Sequence, residues 1–221
     1  MESAQTFAAV IPCLNEAEAI GSVVKEALRH VQRVWVVDDG SSDGTGQEAQ
    51  RVGAMVIRKA MNRGKGAALR EGLDAAKAAG FQFAVLLDGD GQHDPGEIPK
   101  LIEAALEGAD LVIGNRMLEP KRMSGVRRFV NGWMSGRLEK MAGTPCPDSQ
   151  CGFRVVRLEA WERSNFRQNR FEVESEMFTS FARAGLKIVF VPVKSLPAKR
   201  PSRIRPVIDS VRWFRWWLTT K

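Results

Sequence analysis

The stretch FAVLLDGDGQHDP, residues 83–95, joins an apolar segment directly to a cluster of carboxylates and glycines. Asp and Gly are poor strand formers, so the change of character at Asp88 marks the end of a buried strand. The residues that follow have two interpretations. They form either a surface turn that Pro95 closes, or a site at which carboxylate oxygens hold a cation. This stretch alone leaves both interpretations open.

Predicted strands alternate with predicted helices through the first half of the chain. The apolar runs that predict strands are residues 6–11, 34–39, 55–58, 83–87 and the ADLVIGNR segment at 109–116. The segments between them have helical periodicity, which is typical of an α/β fold with a mostly parallel central sheet covered by helices. Polar clusters lie near the strand ends, at residues 12–16, 38–42, 63–65, 88–92 and 115–116. Ligands bind at that edge of such sheets, which favours a ligand site over separate surface turns.

The alternation ends after Arg116. Residues 117–150 are basic and rich in Gly and Met, and a helix is expected over 125–141. DSQCGFRVV, residues 148–156, predicts a turn into a short strand. A helix is expected in 171–185, a last strand in 187–193 and a final helix in 207–218.

Positive charge is concentrated at the C-terminus. The chain of 221 residues has a formal net charge of +7, and residues 186–221 contain nine Lys or Arg and one acidic residue, Asp209. The rest of the chain is close to neutral. An anionic partner is therefore expected at the tail.

Other features of the sequence exclude several classes of protein. The three cysteines form no CxxC pair, no apolar run approaches 18 residues, and no basic-then-apolar leader is present. We therefore expect a reduced, cytoplasmic protein. The patterns GxGxxG, GxxxxGK[ST] and GxSxG are absent, which disfavours a dinucleotide site, a P-loop and a serine hydrolase.

The pair Asp88 and Asp90 suits a hard divalent cation. Mg²⁺ or Mn²⁺ takes one or two carboxylates and completes its shell with water and phosphate oxygens. Gln92 offers a further neutral oxygen, whereas His93 is expected to support the loop because imidazole is a poor ligand for Mg²⁺. The predicted cofactor is Mg²⁺ or Mn²⁺, with Asp88, Asp90 and Gln92 as its ligands.

The motifs, in this order along the chain, resemble those of family 2 glycosyltransferases of the GT-A fold. They are PCLNEAEAI, VVDDGSSDGT, NRGKGAAL, LLDGDGQHDP, ADLVIGNR, DSQCGFR and FEVESEM. They are most similar to the polyprenyl-phosphate branch, which includes the dolichol-phosphate mannosyltransferases and dolichyl-phosphate glucosyltransferases. The resemblance covers residues 6 to 193. It implies a metal-dependent, inverting hexosyltransferase that takes its sugar from a nucleotide-diphospho-sugar donor.

The resemblance also implies a donor site. The residues expected to bind the nucleotide-sugar are Pro12, Leu14, Glu16, Asp38, Asp39, Lys65, Asp88, Gly89 and Asp90. Within this set, Asp39 would contact the nucleoside and Asp38 would support the turn. GDGQH departs from the common DADLQH element by placing glycine at positions 89 and 91. That change loosens the loop but keeps the oxygen ligands.

Catalytic and acceptor residues follow from the same resemblance. The catalytic set is Asp88, Asp90, Arg116, Asp148 and Glu174. The residues expected to bind an acceptor phosphate are Arg116, Arg127, Arg200 and Arg203, the last two because tail arginines can bind phosphate bidentately. Arg127 falls in an R-R-x-x-S element, but Asn131 replaces the serine, which weakens that assignment.

These observations predict three parts of the chain. Residues 1–194 form the GT-A domain, with a nucleotide-sugar-binding half at 1–116 and an acceptor half at 117–194. Residues 195–221 form a basic, Trp-rich amphipathic tail. Val207, Val211, Phe214 and Leu218 share one face of its helix. Trp213 and Trp216 lie on the other side of the helix, near arginines. This arrangement fits a helix that lies in the headgroup region of an anionic membrane. The alternative is that the helix packs on the body of the protein.

The predicted reaction is transfer of a hexose from UDP-glucose or GDP-mannose to a polyprenyl phosphate at the inner, cytoplasmic face of the membrane. An ionised acceptor phosphate, with a second pKa of about 6, needs no strong base. The alternative is transfer to a hydroxyl of a polysaccharide, glycolipid or protein, which needs a carboxylate base such as Asp148 or Glu174. A nucleic-acid-binding module is disfavoured, because the carboxylate edge would repel phosphate. The oligomeric state stays open.

Overall fold

The computed structural model describes residues 6–118, 125–164, 168–169, 172–194, 196–197 and 206–220, of which 206–211 are described as backbone alone. Its strands are β1 (Phe7–Cys13), β2 (Arg33–Asp38), β3 (Met55–Arg58), β4 (Phe83–Leu86), β5 (Leu111–Asn115), β6 (Arg154–Arg157) and β7 (Ile188–Pro192). Its helices are α1 (Ala17–Ala27), α2 (Thr45–Arg51), α3 (Lys65–Ala78), α4 (Ile98–Leu106), α5 (Gly125–Ala142), α6 (Leu158–Arg163), α7 (Val173–Arg183) and α8 (Pro206–Thr219). A 3₁₀ turn, Pro95–Glu97, precedes α4.

The strands form one sheet in the order β3-β2-β1-β4-β6-β5-β7. β6 is antiparallel to both of its neighbours, and every other pairing is parallel. The predicted mostly parallel α/β sheet is thereby confirmed. The chain runs outward from β1 to β3 and then crosses to the opposite side of β1 to form β4. Such a switch of direction opens a crevice at the carboxyl ends of β1 and β4, where ligands of α/β sheets bind.

The expectation that β1 stops at Ile11 is wrong, since the strand continues through Pro12 to Cys13. Pro12 pairs in register with Val37 of β2, while the ladder with β4 ends at Val10. The Val10 carbonyl faces β4, because it accepts the Leu87 amide. The nitrogen of Pro12, two residues further along the strand, also faces β4. It lies beyond the last paired residue of the β1–β4 ladder. Its missing N–H therefore costs no sheet hydrogen bond.

The C-terminal helix α8 packs on the body through the two tryptophans that the sequence assigns to the membrane headgroup region. Trp213 and Trp216 are buried, whereas Phe214 and Leu218 are 44% and 51% exposed. Trp213 contacts the ring of Trp133 on α5, with 5.6 Å between the ring centroids. The assignment of Trp213 and Trp216 to the headgroup region is thus corrected: they pack on the body, and the opposite side of α8 is exposed. No helix in the described part of the chain is long and apolar enough to cross a bilayer.

Helix α3 lies unusually close to the centre of the sheet at Gly72. A methyl group added there would come within 2.3 Å of Val10 Cγ1 and 3.1 Å of Val37 Cγ2. Both valines are fully buried in β1 and β2, and their branched side chains have little freedom to move. Gly72 therefore sets the distance between α3 and the two strands that lead into the crevice.

We predict that Gly72→Ala lowers the free energy of unfolding by about 1–3 kcal/mol through overpacking, although alanine is the better helix former. Urea denaturation measures the change. Gly132→Ala is the matched control, since an added methyl on that helical glycine meets nothing within 4 Å. The control should gain up to about 1 kcal/mol. A Gly72→Ala protein as stable as the control would contradict the close packing.

Candidate active site

The acidic loop after β4 is held by its own side chains. The Asp88 amide donates to His93 Nδ1 at 3.1 Å, and the His93 ring stacks on Phe153 with centroids 5.3 Å apart. The Asp94 side chain accepts the Gly96 amide at 3.0 Å and so caps the 3₁₀ turn. Burial lowers the pKa of His93 against the opposing influence of Asp88. His93 therefore supports the loop, as the sequence indicates.

Lys65 joins the acidic loop to α7. Its ammonium lies 2.5 Å from Asp88 Oδ1 and 2.6 Å from Glu174 Oε1. Burial opposes the charge on Lys65, but the two carboxylates outweigh burial and raise its pKa. Burial likewise opposes the charge on Asp88, and Lys65 reverses that effect, so that the pKa of Asp88 falls to about 2. Lys65 and Asp88 are therefore both charged at neutral pH, and the ammonium of Lys65 joins Asp88 to Glu174.

Gly152 of the DSQCGF motif lies against this group. A methyl group added to Gly152 would come within 2.9 Å of both Asp88 Oδ2 and Lys65 Nζ. Only a glycine lets the backbone approach the ion pair this closely. The motif contains this glycine, but local sequence does not explain why a glycine is needed there, because its neighbours come from α3 and the loop after β4.

A second ion pair lies beside the first. Arg116, directly after β5, donates from Nε and Nη2 to the two oxygens of Asp148 at 2.8 and 2.9 Å, and its amide also donates to Asp148. Burial alone would raise the pKa of the fully buried Asp148, but the hydrogen bonds with Arg116 outweigh burial and lower it. An Asp148 that is buried and held in this way is better suited to fixing the Arg116 side chain than to taking a proton from an acceptor.

Asn131 of α5 completes the environment of Asp148. Its amide donates to Asp148 Oδ1 at 2.8 Å and is itself buried. Ser135, one turn further along α5, donates to Asn131 Oδ1 at 3.2 Å and lies 3.0 Å from the Ser149 hydroxyl. Sequence reasoning treated Asn131 only as a departure from a family element, yet it holds the carboxylate that orients Arg116.

The same set of hydrogen bonds extends to the C-terminal helix. Gln150 donates to both Ser149 and Ser175 at 2.9 Å. Trp213 of α8 donates its indole N–H to the same Ser175 hydroxyl, also at 2.9 Å. Hydrogen bonds between polar side chains therefore run without a gap from α8 to Arg116.

On the other side of the crevice, Asp38 is the last residue of β2 and Asp39 follows it. Asp38 Oδ1 accepts the Ser41 amide at 2.8 Å, so it supports the turn. Asp39 accepts the amides of Arg63 and Gly64 at 2.9 and 2.7 Å. Asp39 therefore holds the loop that ends in Lys65, and its expected contact with a nucleoside stays a prediction.

The remaining predicted donor residues lie along the same edge. Pro12, Leu14 and Glu16 are partly exposed at the end of β1, and Gly89 is buried against Cys13. Asn15, with φ of +50°, accepts the Ser42 amide at 2.8 Å and so ties the end of β1 to the turn after β2.

Three of the predicted acceptor residues are an exposed arginine of α5 and two arginines outside the described residues. Arg127 is exposed on the first turn of α5. Arg200 and Arg203 lie outside the described residues. The structure thus brings together Lys65, Asp88, Glu174, Arg116 and Asp148, and does not test the other phosphate contacts.

The model of the family described as Glycosyl transferase family 2 matches residues 8–164. The chain belongs to glycosyl transferase family 2. It is 30% identical over 197 residues to the undecaprenyl-phosphate mannosyltransferase of Micrococcus luteus, covering 83% of this chain and 81% of the relative. It is 28% identical over 211 residues to the UDP-N-acetylglucosamine–dolichyl-phosphate N-acetylglucosaminyltransferase of Methanococcus voltae. That match covers 85% of this chain and 84% of the relative.

The fold of this family 2 enzyme is also found among solved glycosyltransferases. Glucosyl-3-phosphoglycerate synthase from Mycobacterium tuberculosis, in complex with Mn²⁺, UDP-glucose and phosphoglyceric acid, superposes with a TM-score of 0.74. The sequences are 24% identical, and the match covers 98% of this chain and 78% of that one. The family and the GT-A fold expected from the motifs are therefore confirmed, and the chain is a glycosyltransferase.

The side chains after β4 fit a hard divalent cation. Asp88 and Asp90 provide two carboxylates, and no cluster of three or more His, Cys, Asp or Glu suited to a metal occurs among the described residues. Two carboxylates are what Mg²⁺ takes when water and substrate phosphates complete its shell. Within the described chain Asp90 has no basic partner; Gln92 donates to both of its oxygens from its backbone and side-chain amides. The role of Gln92 as a ligand stays a prediction.

We predict that Asp148→Asn lowers the free energy of unfolding by about 3 kcal/mol or more, because it leaves the charge of Arg116 buried without its partner. Glu26→Gln is the control. It breaks an exposed ion pair with Arg29, which is worth at most about 1 kcal/mol. Chemical denaturation at pH 7 compares the two variants. Equal, small losses would show that the buried pair contributes nothing.

The pH dependence of this stability has a defined sign. Because the folded-state pKa of Asp148 lies below its ordinary value, the ion pair stabilises the fold above the unfolded pKa of about 3.9. That contribution is lost as pH falls through the folded pKa. The stability difference between wild type and Asp148→Asn should therefore shrink in acid.

Proposed function

We propose that this glycosyltransferase transfers a hexose from a nucleotide-diphospho-sugar to a polyprenyl phosphate, with inversion at the anomeric carbon. One observation carries the choice of acceptor. Both carboxylates predicted as bases for a hydroxyl acceptor are held by cations, Asp148 by Arg116 and Glu174 by Lys65. Either carboxylate would have to leave the cation that holds it before it could take a proton from an acceptor.

A phosphate acceptor removes the need for such a base. Its second pKa is about 6, so its attacking oxygen is already ionised near neutral pH. The names of the two relatives support this acceptor class, since one contains undecaprenyl phosphate and the other dolichyl phosphate. Arg127, Arg200 and Arg203 are the proposed contacts of the acceptor phosphate, together with Arg116.

The donor is proposed to bind in the crevice beside β1 and β4. Pro12, Leu14, Glu16 and Asp39 would contact the nucleoside. Asp88 and Asp90 would hold Mg²⁺ or Mn²⁺, and the cation, when bound, would neutralise the leaving diphosphate. Lys65 and Arg116 lie beside these carboxylates and are placed to stabilise the charge that develops on the leaving group.

UDP-glucose and GDP-mannose are the two proposed donors. The DSQCGFR motif resembles that of the glucosyl branch, whereas one relative is named as a mannosyltransferase. The reaction is proposed to occur at a membrane, because the proposed acceptor is a membrane lipid, and the cytoplasmic face is the one that the sequence predicts.

Transfer to a hydroxyl is the second candidate. The solved structure with the same fold contains phosphoglyceric acid, which is not a lipid phosphate. That function would need Asp148 or Glu174 to leave its cation and accept a proton. The first candidate requires no such rearrangement.

The test is an incubation of the protein with radiolabelled UDP-glucose or GDP-mannose, Mg²⁺ or Mn²⁺, and undecaprenyl phosphate in detergent. We expect a labelled lipid that mild acid hydrolyses, because a sugar phosphodiester is acid-labile. Undecaprenol, which lacks only the phosphate, is the matched control and should receive no sugar. Transfer to undecaprenol or to another hydroxyl acceptor, with none to undecaprenyl phosphate, would contradict the proposal.

A further inference from the structure

Helix α5 carries an exposed apolar stripe. Val126, Phe129, Val130 and Trp133 follow one another at helical spacing, and their exposed fractions are 76%, 75%, 38% and 41%. Residues at this spacing lie along one side of a helix. Large apolar side chains exposed together are unusual on a surface that contacts only water.

The opposite side of the same helix faces the active site. Asn131, Ser135 and Leu138 are buried, and the first of them holds Asp148. The stripe is therefore on the outer side of the element that positions Arg116. Packing against the rest of the described chain uses the buried side and the ring of Trp133, which contacts Trp213, and leaves Val126 and Phe129 exposed.

The stripe continues onto α8 through stacked side chains. The Arg137 guanidinium carbon lies 5.4 Å from the ring centroid of Trp133 and 5.6 Å from that of Trp217. The Trp217 ring lies 5.6 Å from that of Phe214 on the exposed side of α8. Leu218, half exposed, follows Trp217. The two helices thus present one aromatic and aliphatic surface.

The charges around this surface are almost all positive. Arg137 and Lys140 are exposed on the same side of α5 as the stripe, and Arg215 is exposed on α8. Glu139 is the one acidic residue in the sequence of α5. Apolar side chains and tryptophans bordered by Arg and Lys are typical of segments that lie in the headgroup region of anionic membranes.

We propose that the surface formed by Val126, Phe129, Trp133, Phe214 and Leu218, with its flanking arginines, docks on an anionic lipid bilayer. A bilayer is the occupant that the charge favours, because its apolar interior and anionic headgroups match both parts of the surface. The inference rests on the proposed function, since a polyprenyl phosphate resides in that bilayer. Docking through α5 would bring the acceptor to the helix that holds Asp148 and Arg116.

The experiment is co-sedimentation of the full chain with vesicles of phosphatidylcholine containing phosphatidylglycerol, and with vesicles of phosphatidylcholine alone. Wild type should bind the anionic vesicles, and high salt should weaken binding because it screens the charges. The double variant Val126→Ser/Phe129→Ser should bind at least about tenfold more weakly, since two apolar side chains no longer enter the bilayer. Its fold should persist, because both side chains are exposed.

Leu106→Ser is the matched control. Leu106 is 52% exposed at the end of α4, away from this surface, and its loss should leave vesicle binding unchanged. Equal binding by wild type and the double variant would overturn the proposal, as would equal affinity for neutral and anionic vesicles. A dimer that the double variant dissociates, detected by analytical ultracentrifugation, would assign the surface to a second copy instead and would also overturn it.

The outcomes also separate this proposal from the proposed function. With a water-soluble, short-chain prenyl phosphate, the double variant should transfer sugar at the wild-type rate, because neither residue contacts the ion pairs. With undecaprenyl phosphate in anionic vesicles, its rate should fall in parallel with its binding. If wild type transfers sugar to neither acceptor, the proposed function fails, and vesicle binding still decides on the surface.

Discussion

The ammonium of Lys65 lies between two carboxylates that come from distant parts of the chain, and the arrangement of the site depends on it. Asp88 follows the central strand β4, Glu174 is in α7, and Lys65 begins α3. Two carboxylates this close would repel each other without an intervening positive charge. Lys65 therefore fixes the distance between the sheet and α7, and Gly152 provides the space for this contact.

The second ion pair extends this organisation toward the C-terminus. Arg116 is held by Asp148, Asp148 by Asn131, and the polar contacts continue to Trp213 on α8. Buried polar groups tolerate little change of position, because an unsatisfied hydrogen bond inside a protein is costly. The helices that form the outer apolar surface are thus the helices that position the arginine of the site. This connection gives a physical basis for coupling between membrane contact and the active site.

Much of the fold could be predicted from local sequence. The alternation of apolar runs with periodic segments gave the parallel sheet, and the change from Leu87 to Asp88 marked the edge at which the site lies. Local sequence could not show that β1 continues through Pro12, because that depends on where the ladder with β4 ends. It also gave no sign of α6, which is only six residues long and so has too little periodicity to detect.

The limits of prediction at the site have a similar cause. Asp88, Arg116 and Asp148 were identifiable from motifs, as were Lys65 and Glu174. Their pairing was not, since Lys65 and Asn131 reach the carboxylates from other elements. The tryptophans of α8 show the same limit. Helical periodicity separates two faces of α8 but does not show which face packs on the body. Trp213 packs there because its ring contacts Trp133 and its indole N–H donates to the Ser175 hydroxyl. The proposed cation at the end of β4 depends most on the carboxylate of Asp90.

Titration of Mn²⁺ by electron paramagnetic resonance, with the nucleotide diphosphate present, tests that claim most directly. Asp90→Asn keeps the size of the side chain and removes its charge, while Asp94→Asn makes the same change four residues away and retains an oxygen for the helix cap. We expect Asp90→Asn to lose nucleotide-dependent binding of Mn²⁺ and Asp94→Asn to bind Mn²⁺ as wild type does. Undiminished binding of Mn²⁺ by Asp90→Asn would contradict a cation held at the end of β4.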